Sequence, residues 1–276
     1  MEESLFSVVK TFLKDFVFSK SESELKIPLF TIILAFFASV FFVILIIFLV
    51  AKIVAIVKQR KKLESFQVNV LTELMNLQKI PDSEKKLLCN LVKPCVELGF
   101  KIDSHTNRPD NFKEVSSLVY KISKCHGNSE LNSFVYFLAA MVYDAGFLQI
   151  DKSIFRSEIL SYEEKKGLKT HVLRGLDYLD FVPSKYMLIF VSGTFLHHEN
   201  CDGSGYPESL ESEEIPELAK MIRIAESYVS LTGRRSYHKI KSSADAYAEL
   251  KSQNNLYESE FINLLGKVLG FEKNPV

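Results

Sequence analysis

The chain has 276 residues, with 34 lysines and arginines set against 34 aspartates and glutamates, so its formal net charge at pH 7 is +0. That balance argues against a nucleic-acid-binding surface as its main purpose. Its four cysteines, Cys89, Cys95, Cys125 and Cys201, lack CxxC spacing. A zinc knuckle or redox pair therefore has no support, and reduced, cytoplasmic thiols are the simple reading.

Residues 1–26 are expected to form a short extracytoplasmic segment, too small to close a core of its own. Within it, Phe6, Val9, Leu13 and Phe16 recur at helical spacing with Lys10 and Lys14 between them, as in an interfacial helix. From Ile27 to Ala51 no charged residue occurs and every face is apolar. At ~1.5 Å rise per residue the run exceeds the ~30 Å hydrocarbon core of a bilayer, so residues 27–51 are predicted to form a single transmembrane helix. The run is too long for a signal peptide and no small-x-small cleavage site follows it. Lys52, Lys58, Arg60, Lys61 and Lys62 come next, which places the carboxyl side of an inner or cytoplasmic membrane span in the cytoplasm. The same cluster suits anionic headgroups.

Residues 52–80 read as a basic juxtamembrane segment and helical linker. Over Leu63 to Leu77, the residues Phe66, Val70, Leu71, Leu74 and Leu77 share a face. That stripe either pairs with a copy of itself, giving a homodimer, or docks on the domain that follows. Pro81-Asp82-Ser83 breaks the helix, with Asp82 or Ser83 as a cap for the next one. This next helix carries Leu87, Leu88, Leu91, Val92 and Val96, is expected to kink at Pro94, and runs to Gly99. Asp103 to Asp110 reads as a polar loop. Helical periodicity dominates from Phe112 to the end, so residues 81–276 are expected to form an all-α cytoplasmic domain. His105 and His126 fall at loop or helix-end positions and read as surface histidines.

His197-His198-Glu199 followed by Asp202-Gly203-Ser204-Gly205-Tyr206-Pro207 is the densest chemistry in the chain. Two adjacent imidazoles can present neutral nitrogens to a divalent metal. Gly203 and Gly205 permit backbone angles other residues resist, and Pro207 stiffens the exit. The loop is shaped for close approach to a ligand.

These residues fill every fixed position of HHExxDGxGYP, and the stretch resembles the HD-GYP domain, a family of all-helical metal-dependent phosphohydrolases. The likeness continues through Glu214-Ile215-Pro216, Ile224-Ala225, Leu231-Thr232 and Arg235-x-Tyr237, and upstream through Leu168-Lys169-Thr170-His171 with Gly175. It covers about residues 111–271 and implies an HD-domain-like helical bundle. It also implies two metal positions. One would use Asn111, Tyr143, Asp144 and Glu226, where the family's histidines and aspartate have given way to residues that leave no imidazole. The other would use Asp144, His171, His197 and His198, all present. A further departure puts Phe147 where the family has lysine. The resemblance assigns substrate contacts to Gly203, Gly205, Tyr206, Pro207, Arg235 and His238, with Arg235 matching a phosphate-contacting arginine and His238 a second basic position.

One carboxylate and three histidines suit one divalent ion, Fe, Mn or Zn, with Glu226 as an additional carboxylate; the alternative is that they are packed and hydrogen-bonded without metal. With the apolar run supplying a membrane anchor, the resemblance implies a protein of cyclic dinucleotide signalling, with cyclic di-GMP or a related nucleotide as ligand. A lone ion removes the clamp of a two-metal centre, and Phe147 cannot supply charge to a transition state, so weak or lost phosphodiesterase activity is expected. The alternative is an inactive nucleotide receptor or protein scaffold.

Overall fold

The computed structural model describes residues 7, 10, 11 and 29–272, apart from 158, 234–239 and 254. The interfacial-helix reading of the amino-terminal segment thus falls largely outside the described residues. The chain divides into two compact units, Met1–Lys61 and Lys62–Val276. Helix α1 runs from Leu29 to Asn76. In the first unit it is long and apolar enough to cross a membrane, by length and composition. Its side chains from Phe41 to Val50 are all exposed, with Phe41 at 68%.

The second unit is built from helices α2 (Asp82–Thr106), α3 (Asn111–His126), α4 (Glu130–Ala139), α5 (Tyr162–Lys169), α6 (His171–Arg174), α7 (Ser184–Leu196), α8 (Glu217–Thr232), α9 (Ser243–Ser252) and α10 (Ser259–Leu269). Short 3₁₀ turns at Ala145–Gln149, Ile154–Arg156, Gly175–Tyr178 and Ser212–Glu214 join them. No strand occurs among the described residues; Asp202 and Glu211 form an isolated bridge. The all-α expectation therefore holds.

Local chemistry explains several boundaries. Ser129 caps α4 by accepting the Asn132 amide at 3.1 Å, and Ser161 with Glu164 forms a reciprocal capping box on α5. Helix α2 departs from the sequence reading at both ends. Pro81 is its N-cap and makes no side-chain cap, so Asp82 and Ser83 lie inside the first turn, where Asp82 complements the helix dipole. At the other end α2 continues through Asp103 to Thr106 and stops at Asn107, whose left-handed φ of 55° ends the helix. The expected loop shrinks to residues 107–110 because Asp103 is buried and its Oδ1 accepts the Phe112 amide at 3.3 Å. A polar residue used internally looks like loop in a periodicity reading.

Helix α3 lies at the centre, packed on α4, α8 and α10, while α7 packs on α4 and α8. One hydrophobic core runs from Val70 to Leu265. It includes Val70, Leu74 and Leu77 from the end of α1, with Phe66 and Leu71 packed against it. The stripe that could have paired with a second copy is thus consumed by the chain's own domain, and a homodimer through that face loses its apolar surface. Burial of this kind contributes about 1.5–3 kcal/mol per large side chain.

The 3₁₀ turn Ala145–Gln149 packs on α2 and on α6. A Cβ on Gly146 would lie 1.9 Å from the His171 carbonyl oxygen. Only glycine lets the two backbones approach so closely, and this approach sets Asp144 beside His171.

Candidate metal centre

His171 begins α6, His197 and His198 directly follow α7, and Asp144 precedes the 3₁₀ turn that Gly146 clamps onto α6. The structure brings the three histidines together, with a ligand nitrogen from each within 4.8 Å of the others. His171 Nδ1 meets the Leu168 carbonyl at 2.6 Å, and His197 Nδ1 meets the Gly193 and Thr194 carbonyls at 3.0 Å. A carbonyl only accepts, so each Nδ1 donates its hydrogen and each neutral ring turns its Nε2 lone pair inward. Those two Nε2 atoms lie 3.2 Å apart. Asp144 Oδ1 stands 3.5 Å from one and 3.6 Å from the other, buried and without a hydrogen-bond partner.

Three acceptor atoms converging with no donor among them repel one another unless a cation lies between them. The backbone-held imidazoles also have the outer-shell support that metal-ligating histidines need. The residues present therefore fit a divalent ion bound by His171, His197, His198 and Asp144. Burial holds His171 down to about 4 and His198 well below the ordinary imidazole value, which keeps their lone pairs available at neutral pH.

Glu226, from α8, comes within 3.9 Å of His198 Nδ1 through its Oε2. Burial and then the Asp144 charge raise its pKa. Asn111 and Tyr143 are joined to each other. The buried Asn111 Nδ2 donates to the Tyr143 hydroxyl at 3.2 Å, and the Tyr143 ring meets His197 edge-on at 4.9 Å. Burial and the Asp144 charge raise the Tyr143 pKa well above its ordinary value, so the phenol stays neutral. Phe147 stacks on His171, with ring centroids 4.0 Å apart and planes 19° from parallel.

Arg108, in the connection between α2 and α3, was not singled out by the sequence. Its Nη2 donates to Asp144 Oδ2 at 2.9 Å, and its guanidinium carbon sits 4.9 Å from the Phe147 ring centroid. Burial pushes Asp144 up, but Arg108, His197 and His171 outweigh it and hold the carboxyl below the usual range. No periodicity marks Arg108, since it stands beside a proline in a polar stretch. Its only sequence cue is closeness to Asn111.

The glycine-rich loop braces the centre. Glu199 is buried and accepts the amides of Glu208 at 2.7 Å and Leu210 at 3.1 Å. Asp202 Oδ1 accepts the Ser204 amide, and its Oδ2 accepts Asn255 Nδ2. Gly203 takes a φ of +74°, and a Cβ on Gly205 would press the Glu199 Cα at 2.4 Å. Tyr206 stacks on His198 at 4.7 Å, with Lys169 Nζ 4.8 Å from the Tyr206 ring centroid. Pro207 is exposed. Arg235 and His238 lie outside the described residues. His105 bonds the Ile150 carbonyl, His126 faces Glu217 and Glu260, and neither joins the cluster. All four cysteines are free.

Beside the cluster, His198 and Glu226 form one wall of a cavity of about 370 Å³, completed by Arg223, Ser227, Gln253 and Tyr257 among others. Arg223 Nε donates to Asn200 at 3.0 Å and Nη1 to Ser227 at 2.9 Å.

Comparison with known proteins agrees with the helical fold. A profile of the HD domain family matches residues 85–260. The chain is 30% identical over 168 residues to a cyclic di-GMP phosphodiesterase of Thermotoga maritima, covering 60% of this chain and 45% of that protein. It is 25% identical over 211 residues to 3'3'-cGAMP-specific phosphodiesterase 2 of Vibrio cholerae, covering 75% and 39%. The chain thus spans less than half the length of these curated relatives. Its fold resembles that of Bd1817, a HDG"Y"P protein from Bdellovibrio bacteriovorus, with a TM-score of 0.50 at 12% identity over 77% of this chain and 81% of that one. On the matched profile, the helical architecture and the residues 197–207, the chain belongs to the HD domain family and is a member of its HD-GYP type.

Proposed function

We propose that this chain is a membrane-anchored HD-GYP protein that binds a cyclic dinucleotide beside a one-ion centre and hydrolyses it slowly or not at all. Cyclic di-GMP and the related 3'3'-cGAMP are the ligand classes named by its relatives. The observation that carries this reading is the split character of the site. Three histidine nitrogens and Asp144 Oδ1 converge as ligands, whereas Asn111 and Tyr143 are spent on a neutral hydrogen bond.

When bound, the ion supplies Lewis-acid polarisation of a phosphoryl oxygen and acidifies water. The chain's own residues supply less than fast phosphodiester cleavage demands. Phe147 offers no charge to the developing phosphorane, and the Arg108 guanidinium is engaged with Asp144. Binding needs less. The cavity beside His198 lies at the small end of ligand pockets, so it suits part of a dinucleotide, with Arg223, whose Nε and Nη1 face Asn200 and Ser227, donating to a phosphate oxygen through Nη2. Arg235 and His238 are proposed as further phosphate contacts.

The test uses the full chain in detergent, supplied with Mn or Fe, with cyclic di-GMP and 3'3'-cGAMP as ligands. Metal content, nucleotide affinity and turnover are measured on the same preparation. One ion per chain, measurable affinity and slow turnover are expected. Brisk turnover would remove the binding-protein reading, and absence of affinity for either nucleotide would leave only a scaffold role.

A further inference from the structure

Asp144 has two oxygens and two sets of neighbours. Oδ1 faces His171 and His197 at 3.5 and 3.6 Å, while Oδ2 accepts Arg108 Nη2 at 2.9 Å. Both Asp144 and Arg108 are largely shielded, with side chains 1% and 14% exposed. The pairing is tight and dry on the arginine side, where Nε is buried without a hydrogen-bond partner. Around the guanidinium stand the Phe147 ring, the Asp144 carboxylate, the carboxyl groups of Glu226 and Asp103, and the Tyr143 phenol. Phe147 in turn stacks on His171, so arginine, phenylalanine and ligand form one packed unit.

We propose that Arg108 is the fixed counter-cation of Asp144. It occupies Oδ2, leaves Oδ1 alone to an ion at the three histidines, and competes with that ion to neutralise one shared carboxylate. Leaving an ionised carboxylate buried and unpaired is costly, so the metal-free centre needs the arginine. A bound cation is repelled by the same arginine, because two positive charges a few ångströms apart interact by a few kcal/mol at the effective dielectric of a partly buried site. Arg108 is in this sense a positioning residue. It stabilises the empty site, orients the carboxylate and limits the affinity for an ion.

This inference rests on the reading of the histidine cluster as a one-ion centre, and the experiment separates the two. The full chain in detergent is stripped of metal, and its thermal midpoint and Mn(II) affinity are measured for wild type, Arg108→Gln and Arg108→Lys. Arg108→Gln should lower the metal-free midpoint, yet bind Mn(II) roughly tenfold more tightly and gain a larger thermal shift from it. Arg108→Lys keeps the charge and should return both quantities toward wild type. A merely structural role for Arg108 predicts the lower midpoint without the gain in Mn(II) affinity. Equal or weaker Mn(II) binding by Arg108→Gln would therefore overturn the proposal. A wild type that takes up no ion would sink the one-ion reading and this inference together, whereas a bound ion with unchanged affinity in Arg108→Gln sinks the inference alone. If Arg108→Gln does not fold, the Arg108→Gln/Asp144→Asn double variant removes both charges and should recover a folded metal-free protein. Failure to recover would also overturn the proposal.

Discussion

Replacing His197 by Ala should empty the centre, because it removes a nitrogen that faces both His171 Nε2 at 3.2 Å and Asp144 Oδ1 at 3.6 Å. Tyr143→Ala should keep the ion, since its neutral phenol is turned to Asn111. Elemental analysis of the two variants checks both statements, and metal that survives His197→Ala unchanged would move the ligand set elsewhere. A second residue predicts a pH response away from the histidines. Burial pushes Asp103 up to about 7, against the Phe112 amide and Arg108, which pull it down. The folded protein therefore holds that proton more tightly than the unfolded chain does. The stability associated with it is fully present below the ordinary carboxylate range and is lost as pH rises through about 7. The thermal midpoint of wild type, taken relative to that of Asp103→Asn, which keeps an acceptor for Phe112, should fall between pH 5 and pH 8. Parallel curves for the two proteins would clear Asp103 of the effect.

At the level of elements, the end of α1 belongs energetically to the domain. Leu74 is fully buried in the core that α2, α3 and α8 share, so Leu74→Ala should cost about 2–5 kcal/mol. Chemical denaturation reads this directly, and a loss below about 1 kcal/mol would mean that the stripe is not a working part of the core. The helices were legible in the sequence where one face alternates with another, as along α3 and α8. Their ends were less so. Asp103 reads as a loop residue although it is folded inward, and Pro81 takes the cap position because the fixed φ of proline suits a helix start. His171, His197, His198 and Asp144 were legible through a motif whose residue types carry the chemistry. Arg108 was not, because the ion pair joining it to Asp144 spans 36 positions and depends on how α2 and α3 meet. The sequence also suggested that residues 203–207 approach a ligand. Their backbone is tied to Glu199 and Asp202, and Tyr206 reaches the site by stacking on His198.

For the molecule as a whole, the exposed apolar helix and the basic cluster after it support a proposed orientation with the amino terminus outside and Val276 in the cytoplasm. A reporter that is active only in the cytoplasm, fused after Val276, should be active. Activity of a periplasmic reporter at the same point would reverse the orientation and remove the domain from cytoplasmic nucleotides.

The hydrogen bond between Asn111 and Tyr143 makes the two positions interdependent. Tyr143→Phe alone removes the phenol oxygen that accepts from Asn111 Nδ2, and Asn111→Leu alone removes that donor, each forfeiting about 0.5–1.5 kcal/mol of net hydrogen-bond energy. The two side chains therefore behave as a unit: what either position tolerates is set by its partner, and a paired replacement that keeps donor facing acceptor disturbs the interior less than a replacement on one side only.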